Sequence, residues 1–143
     1  MGLRRKSREL ALQFLFSHDF QDRSCKPDAL QVELDEFCSC FDTGKKSFPY
    51  ATTLITGICS HLEEIDSLIS DHSHNWRVER MALVERNILR IAVFEMLYVD
   101  DAPATVAINE ALEIGKRYAE PDSAGFINGI LDAVRQQGGI GKQ

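Results

Sequence analysis

The stretch PATVAINEALEIGKRYAEPDSAGFINGILDAV, Pro103 to Val134, decides the fold. Ile108, Ala111, Leu112, Gly115 and Ala119 recur at the spacing of one helical face. Pro103 stands where a first turn would begin, a place that tolerates a missing N–H. Glu113 lies four residues before Arg117, a favourable pair on the solvent side. Pro121 stops this helix, because the residue before a proline avoids the α region. Asp122 or Ser123 can then cap a second helix through a side-chain oxygen. There Phe126, Ile127, Ile130, Leu131 and Val134 make a second apolar stripe. Gly125 and Gly129 would each cost about 1 kcal/mol against alanine inside it. That cost predicts a neighbour packed close to their face. Packing accounts less well for Asn109 and Asn128 beside the two stripes.

The rest of the chain repeats the pattern. Leu10, Ala11, Phe14 and Leu15 mark a helix over about 5–20. Pro27 opens another, lined by Leu30, Leu34, Phe37, Cys38 and Phe41. After the loop DTGKKS (42–47), Ser47 can cap a long helix with Pro49 in its first turn. Ala51, Ile55, Ile58, Leu62, Ile65 and Ile69 give that helix a heptad-like seam, which suits a bundle core. It should end in the polar stretch 71–75. Trp76, a buried anchor more readily than a binding platform, opens a short irregular piece with Val78 and Met81. Val84–Val99 is apolar on nearly all sides after Asn87, the mark of a central helix. Arg90 and Glu95 interrupt it and need partners. No segment alternates like a strand, and no internal repeat is visible. The expectation is an all-α chain of about seven helices in two packed subbundles, about 1–75 and about 76–143. The closing GGIGKQ should fray.

Composition narrows the function. The chain has 143 residues, 44% hydrophobic and 27% charged, which suits one soluble domain. No apolar run would cross a bilayer, and the basic start lacks the apolar region of a secretory signal. A cytoplasmic protein without membrane contact is expected. Net charge is −6, which argues against a general nucleic-acid binder. The charge is uneven, however. Arg4, Arg5, Lys6 and Arg8 crowd the start without an acid among them, and Asp28, Glu33, Asp35, Glu36 and Asp42 follow. Cations at a helix N-terminus oppose its dipole, whereas free N–H groups beside cations favour a bound phosphate. A phosphate contact and a solvated tail are both open here.

Cys25, Cys38, Cys40 and Cys59 have irregular spacing, and His61, His72 and His74 add no zinc-type pair. The cysteines are expected to be structural or free thiols, with no metal and no cofactor. There is no phosphate loop, no dinucleotide fingerprint, no nucleophile elbow and no zinc-protease motif. No catalytic residue is readable, and no enzyme is expected.

RRKSRELALQFLF at the start, VERNILRIAVFEML in the middle, and VAINEALEIGKRY followed by DSAGFINGILD resemble the NusB family of transcription antitermination factors. The likeness covers both ends and most of the C-terminal half, and it is weak over about 21–75. It implies two helical subbundles. It also implies binding of boxA-type single-stranded RNA together with a small-subunit ribosomal protein, NusE. That assembly would join elongating RNA polymerase and other Nus factors in ribosomal RNA transcription. By resemblance, Arg4, Arg5, Lys6 and Arg8 match the basic RNA-contacting segment. Phe16 falls where many members have a tyrosine near the RNA; it keeps the ring and lacks the hydroxyl. Asp122 and Phe126 match the RNA-contacting part of the second hairpin. Gly125 stands where some members have a lysine, so one phosphate contact should be missing. Glu85 matches the edge of the RNA and partner surface. Family members differ in forming a homodimer that masks the basic end, so a homodimer stays open. Two other readings compete: a protein–protein adaptor without RNA contact, and the NusB-like domain of an RNA cytosine methyltransferase. The last needs a long catalytic domain, and with the chain ending at Gln143 it is set aside.

Overall fold

A computed structural model of the chain describes residues 2–41, 44–73 and 77–137. Among these residues there are seven α-helices, two short 3-10 turns and no strand. Trp76 and the closing GGIGKQ lie outside the described residues. The chain divides into two compact units, Met1–His61 and Leu62–Gln143. The division thus falls at His61 rather than near residue 75.

The long helix expected after Ser47 is two helices, α3 (Phe48–Ser60) and α4 (Leu62–Asp71). Between them His61 leaves helical geometry at φ −122° and ψ 25°. Its N–H is shared by the carbonyls of Gly57 and Ile58, at 3.1 and 3.2 Å. The apolar seam continues because Ile55 and Ile58 are buried in the first unit and Ile65 and Ile69 in the second. Periodicity reports burial, and burial does not require one unbroken rod. Ser47 is no cap: it is buried, in αR conformation, and its side chain makes no capping bond. A 3-10 turn, Lys45–Ser47, enters α3 instead.

In the first unit, α1 (Leu3–Phe20) packs mainly on α3, and α2 (Pro27–Ser39) lies against α3. Ala11, Phe14, Leu15, Leu30, Leu34, Leu54, Ile55 and Ile58 form the core. Aromatic rings link its parts. Phe14 meets Phe37 edge-on at 5.3 Å, Phe37 meets Phe41 at 5.0 Å, and Phe41 meets Phe48 at 5.5 Å. Such pairs add about 0.5–1.5 kcal/mol each beyond their buried area. His18, buried at the end of α1, faces Glu33 of α2 through Nδ1 at 2.6 Å. Contact with the Cys25 thiol, then with the Glu33 carboxylate, raises its pKa against the opposing effect of burial.

In the second unit, α5 (Leu83–Tyr98) is central and packs against α4, α6 (Ala104–Tyr118) and α7 (Ser123–Gln137). Every residue from Asn87 to Met96 is buried. Arg90 is paired, as a buried charge must be: Nε and Nη2 donate to the two carboxylate oxygens of Asp66, each at 2.8 Å. Its Nη1 donates to Asn87 at 3.1 Å. Among the described residues no buried side-chain nitrogen or oxygen lacks a partner, Glu95 included. Glu113 pairs with Lys116 at 3.1 Å.

The close approach of the C-terminal hairpin lies at Gly115, not at the later glycines. A Cβ at Gly115 would sit 3.4 Å from Ile127 Cδ1 of α7. A Cβ at Gly125 or Gly129 would meet nothing within 4 Å. Both face solvent, as do Asn109 and Asn128. Among the described residues the expected neighbour is therefore absent. Gly125→Ala and Gly129→Ala should each stabilise the protein by about 0.5–1 kcal/mol, because helix propensity improves and nothing clashes. Urea unfolding of the two variants checks this, and a loss of stability would contradict the open face.

Candidate nucleic-acid interface

The start of α1 is open at its backbone. Gly2 occupies the N-cap without a side-chain bond, and the first turn holds no acid. The first intrahelical bond runs from Lys6 N to Gly2 O at 3.1 Å. The preceding N–H groups point outward with the positive end of the helix dipole, which suits an anion.

The four cations there do not share one fate. Lys6 is exposed, and Arg4 and Arg5 are half-buried. Arg4 lies over the ring of Tyr50 on α3, 4.3 Å from its centroid. Arg8 is only 4% exposed. Its side chain is thus buried in this structure, unlike that of Lys6. A cation in a basic run looks the same in sequence whether it faces water or the core. Only the wheel position of Arg8, three and four residues before Ala11 and Leu12, hints at burial.

The outer face of α1 continues with rings. Phe16 is 39% exposed and Phe20 is 71% exposed. Their rings stack at 6.4 Å between centroids and 8° between planes. With Arg5, Glu9 and Gln13 they follow spacings of three and four, so they share one side of the helix. Phe20 was not among the residues singled out from sequence. Its spacing from Phe16 on a face otherwise polar is the signal that could have found it.

The second unit brings Glu85, Asp122 and Phe126 together. They line one open groove of about 350 Å³, with Arg80, Glu120 and Ser123. The hydroxyl of Ser123 donates to the carboxylate of Glu85, joining the start of α7 to the first turn of α5. Ser123 thus makes a cross-helix bond, and Asp122 immediately precedes the helix. The groove wall holds three carboxylates and one guanidinium around a half-buried ring. It offers acceptors to amino groups and cations, with an apolar floor. The basic and aromatic face belongs to the first unit and the acidic groove to the second.

Residues 5–136 match the NusB family. The transcription antitermination protein NusB of Desulfosudis oleivorans is 45% identical over 137 residues, which covers 96% of this chain and 88% of that protein. The solved structure of T. maritima NusB superposes with a TM-score of 0.79 at 38% identity, covering 94% of this chain and 91% of that one. A chain in the solved structure of the antitermination factors NusB and NusE in complex with dsRNA gives a TM-score of 0.76 at 26% identity, covering 94% of this chain and 97% of that one. Among the described residues, no helix is long and apolar enough to cross a membrane.

The split among the cations has a measurable outcome. Arg8→Ala should destabilise the protein by roughly 1–3 kcal/mol, as loss of a buried long side chain does. Lys6→Ala should leave stability within about 0.5 kcal/mol of the parent. Thermal unfolding of the two variants side by side distinguishes a core arginine from a surface lysine.

Proposed function

The chain belongs to the NusB family, and from that premise we propose that it binds boxA-type single-stranded RNA together with the small-subunit ribosomal protein NusE. Its relatives are transcription antitermination proteins, and the chain is a factor of that kind rather than an enzyme. In this reading the complex joins elongating RNA polymerase and other Nus factors during ribosomal RNA transcription.

The observation that carries the reading is the outer face of α1. An uncapped helix start, the cations Arg5 and Lys6, and the exposed Phe16–Phe20 stack lie along one helix. Phosphates are held by charge and by outward N–H groups. Unpaired bases stack on aromatic rings whatever their identity. Phe16 stacks without donating a hydrogen bond, since it has no hydroxyl. In the second unit, Glu85 and Asp122 supply carboxylates that can accept hydrogen bonds from base amino groups. Phe126 on the same groove adds a ring. A solved complex of a related NusB with NusE and dsRNA supports RNA and NusE as kinds of partner.

The adaptor reading draws on a different observation. The groove is acidic and the chain carries a net charge of −6. Such a groove suits a cationic protein segment better than a phosphate backbone. Both kinds of contact are ionic and weaken with salt, so the two readings part on direct RNA binding and on which cations set its salt slope.

Binding of boxA-like RNA, followed by fluorescence anisotropy with and without NusE, should weaken steeply as salt rises. Arg5→Ala with Lys6→Ala should flatten the slope of log affinity against log salt by about 0.7 for each lost phosphate contact. Phe20→Ala should weaken binding by about 1–3 kcal/mol with little change in slope, since stacking is not ionic. Each variant is first checked for folding by circular dichroism. Unchanged affinity and slope in the folded double variant would overturn RNA contact at α1 and leave the adaptor reading.

A further inference from the structure

We propose that His18, Cys25 and Cys59 form a binding site for one zinc ion within the first unit. The inference does not rest on the RNA reading. One ligand atom from each residue lies within 4.8 Å of the other two. His18 Nε2 is 3.6 Å from the Cys25 sulfur. In a tetrahedral zinc site, bond lengths of about 2.0–2.1 Å to nitrogen and about 2.3 Å to sulfur put such a pair about 3.5 Å apart. The His18–Cys25 edge already has that length. Two sulfurs on the same ion would be about 3.8 Å apart, so the cluster needs only a small side-chain contraction.

The second nitrogen of the imidazole supplies the stronger argument. His18 Nδ1 is 2.6 Å from Glu33 Oε1, and that carboxylate is itself largely buried. A metal-bound histidine usually donates its other N–H to a carboxylate or carbonyl, which fixes the tautomer and turns the remaining nitrogen toward the metal. Here the carboxylate holds Nδ1 and the thiol side faces Nε2. His18 is 6% exposed, and Cys25 and Cys59 are half-buried, so the ion would sit at the edge of the core. On binding, each thiol gives its proton to solvent, because thiolates are the ligands. Two thiolates neutralise the ion, and the fourth position is left to water.

The elements involved give such an ion a purpose. His18 ends α1, Cys25 lies in the link to α2, Glu33 is on α2, and Cys59 is in the last turn of α3. One ion would therefore tie all three helices of a unit too small to hold a large core. No sequence motif shows this, because the ligands are far apart in the chain and converge only through packing. Cys38 and Cys40 lie outside the cluster; the Cys40 sulfur is 3.4 Å from the Glu36 carbonyl.

The test uses the full chain, reduced and stripped of metal by chelation, titrated with cobalt(II) as a spectroscopic substitute. The expected result is a thiolate-to-cobalt charge-transfer band and tetrahedral ligand-field bands that saturate at one equivalent and vanish on adding zinc. Zinc should raise the melting temperature. The bands should be lost in the Cys25→Ser/Cys59→Ser variant and kept in Cys38→Ser/Cys40→Ser. Glu33→Gln should lower cobalt affinity by about 10–100-fold while the bands keep their position, as a positioning residue should. A readout on the unmutated chain covers the case of a variant that does not fold: zinc should protect Cys25 and Cys59 from alkylation, mapped by mass spectrometry, and leave Cys38 and Cys40 reactive. Absence of the charge-transfer band at excess cobalt, its survival in the Cys25/Cys59 variant, or protection of Cys38 and Cys40 instead would overturn the site.

Discussion

A single buried guanidinium sets the terms for the second unit. Arg90 projects from the central helix at 8% exposure, where an unpaired charge would cost several kcal/mol. Asp66 answers it with both oxygens, and Asn87 takes a third donor. A bidentate fork tolerates little sliding, so α4 is held against α5 in one register. Apart from Asn87 and Glu95 the rest of its buried stretch is apolar, and α5 takes α6 and α7 there. The same helix carries Glu85 in its first turn, where Ser123 reaches it from α7. The Ser123–Glu85 bond joins two walls of the groove, while the Arg90–Asp66 pair lies deeper, between α4 and α5. Apolar packing supplies most of the stability, and the polar bonds select which packing is used.

Much of this was legible in the sequence, for a physical reason. Burial leaves a periodic trace, so the stripes of α6 and α7, the seam of α3 and α4, and the all-round apolar α5 could be read from spacing. The need of Arg90 for a partner followed from its apolar surroundings, though Asp66 could not be named, since pairing across helices leaves no local mark. The break at His61 escaped because no proline or glycine marks it and the seam runs through it. The glycines misled in a different way. Spacing shows that Gly115, Gly125 and Gly129 each weaken a helix, but not which of them faces a neighbour. Packing assigns that role to Gly115 alone among the three.

The candidate interface was legible in type more than in detail. Family resemblance and residue chemistry pointed to a basic, aromatic surface, and α1 carries one. Tertiary packing then sorted residues that look alike in the chain. It sent Arg8 inward, laid Arg4 on Tyr50, and left Lys6 in water. It also paired Phe20 with Phe16. The low net charge conceals this surface because the acids concentrate elsewhere, among them those of the groove beside Phe126. Averages over a chain are poor guides to a surface used in patches.

The solvent-facing glycines of α7 give that helix an uneven grip on its own shape. Gly125 and Gly129 fall within its first two turns, beside Ser123 and Phe126, which line the groove. An open glycine has more backbone freedom than any other residue, so this segment loses more entropy each time it closes. Its amides should therefore exchange with solvent through local opening sooner than those of α5, which is buried on all sides. Part of the interaction energy of an occupant resting on Phe126 would thus go to keeping this end of α7 closed.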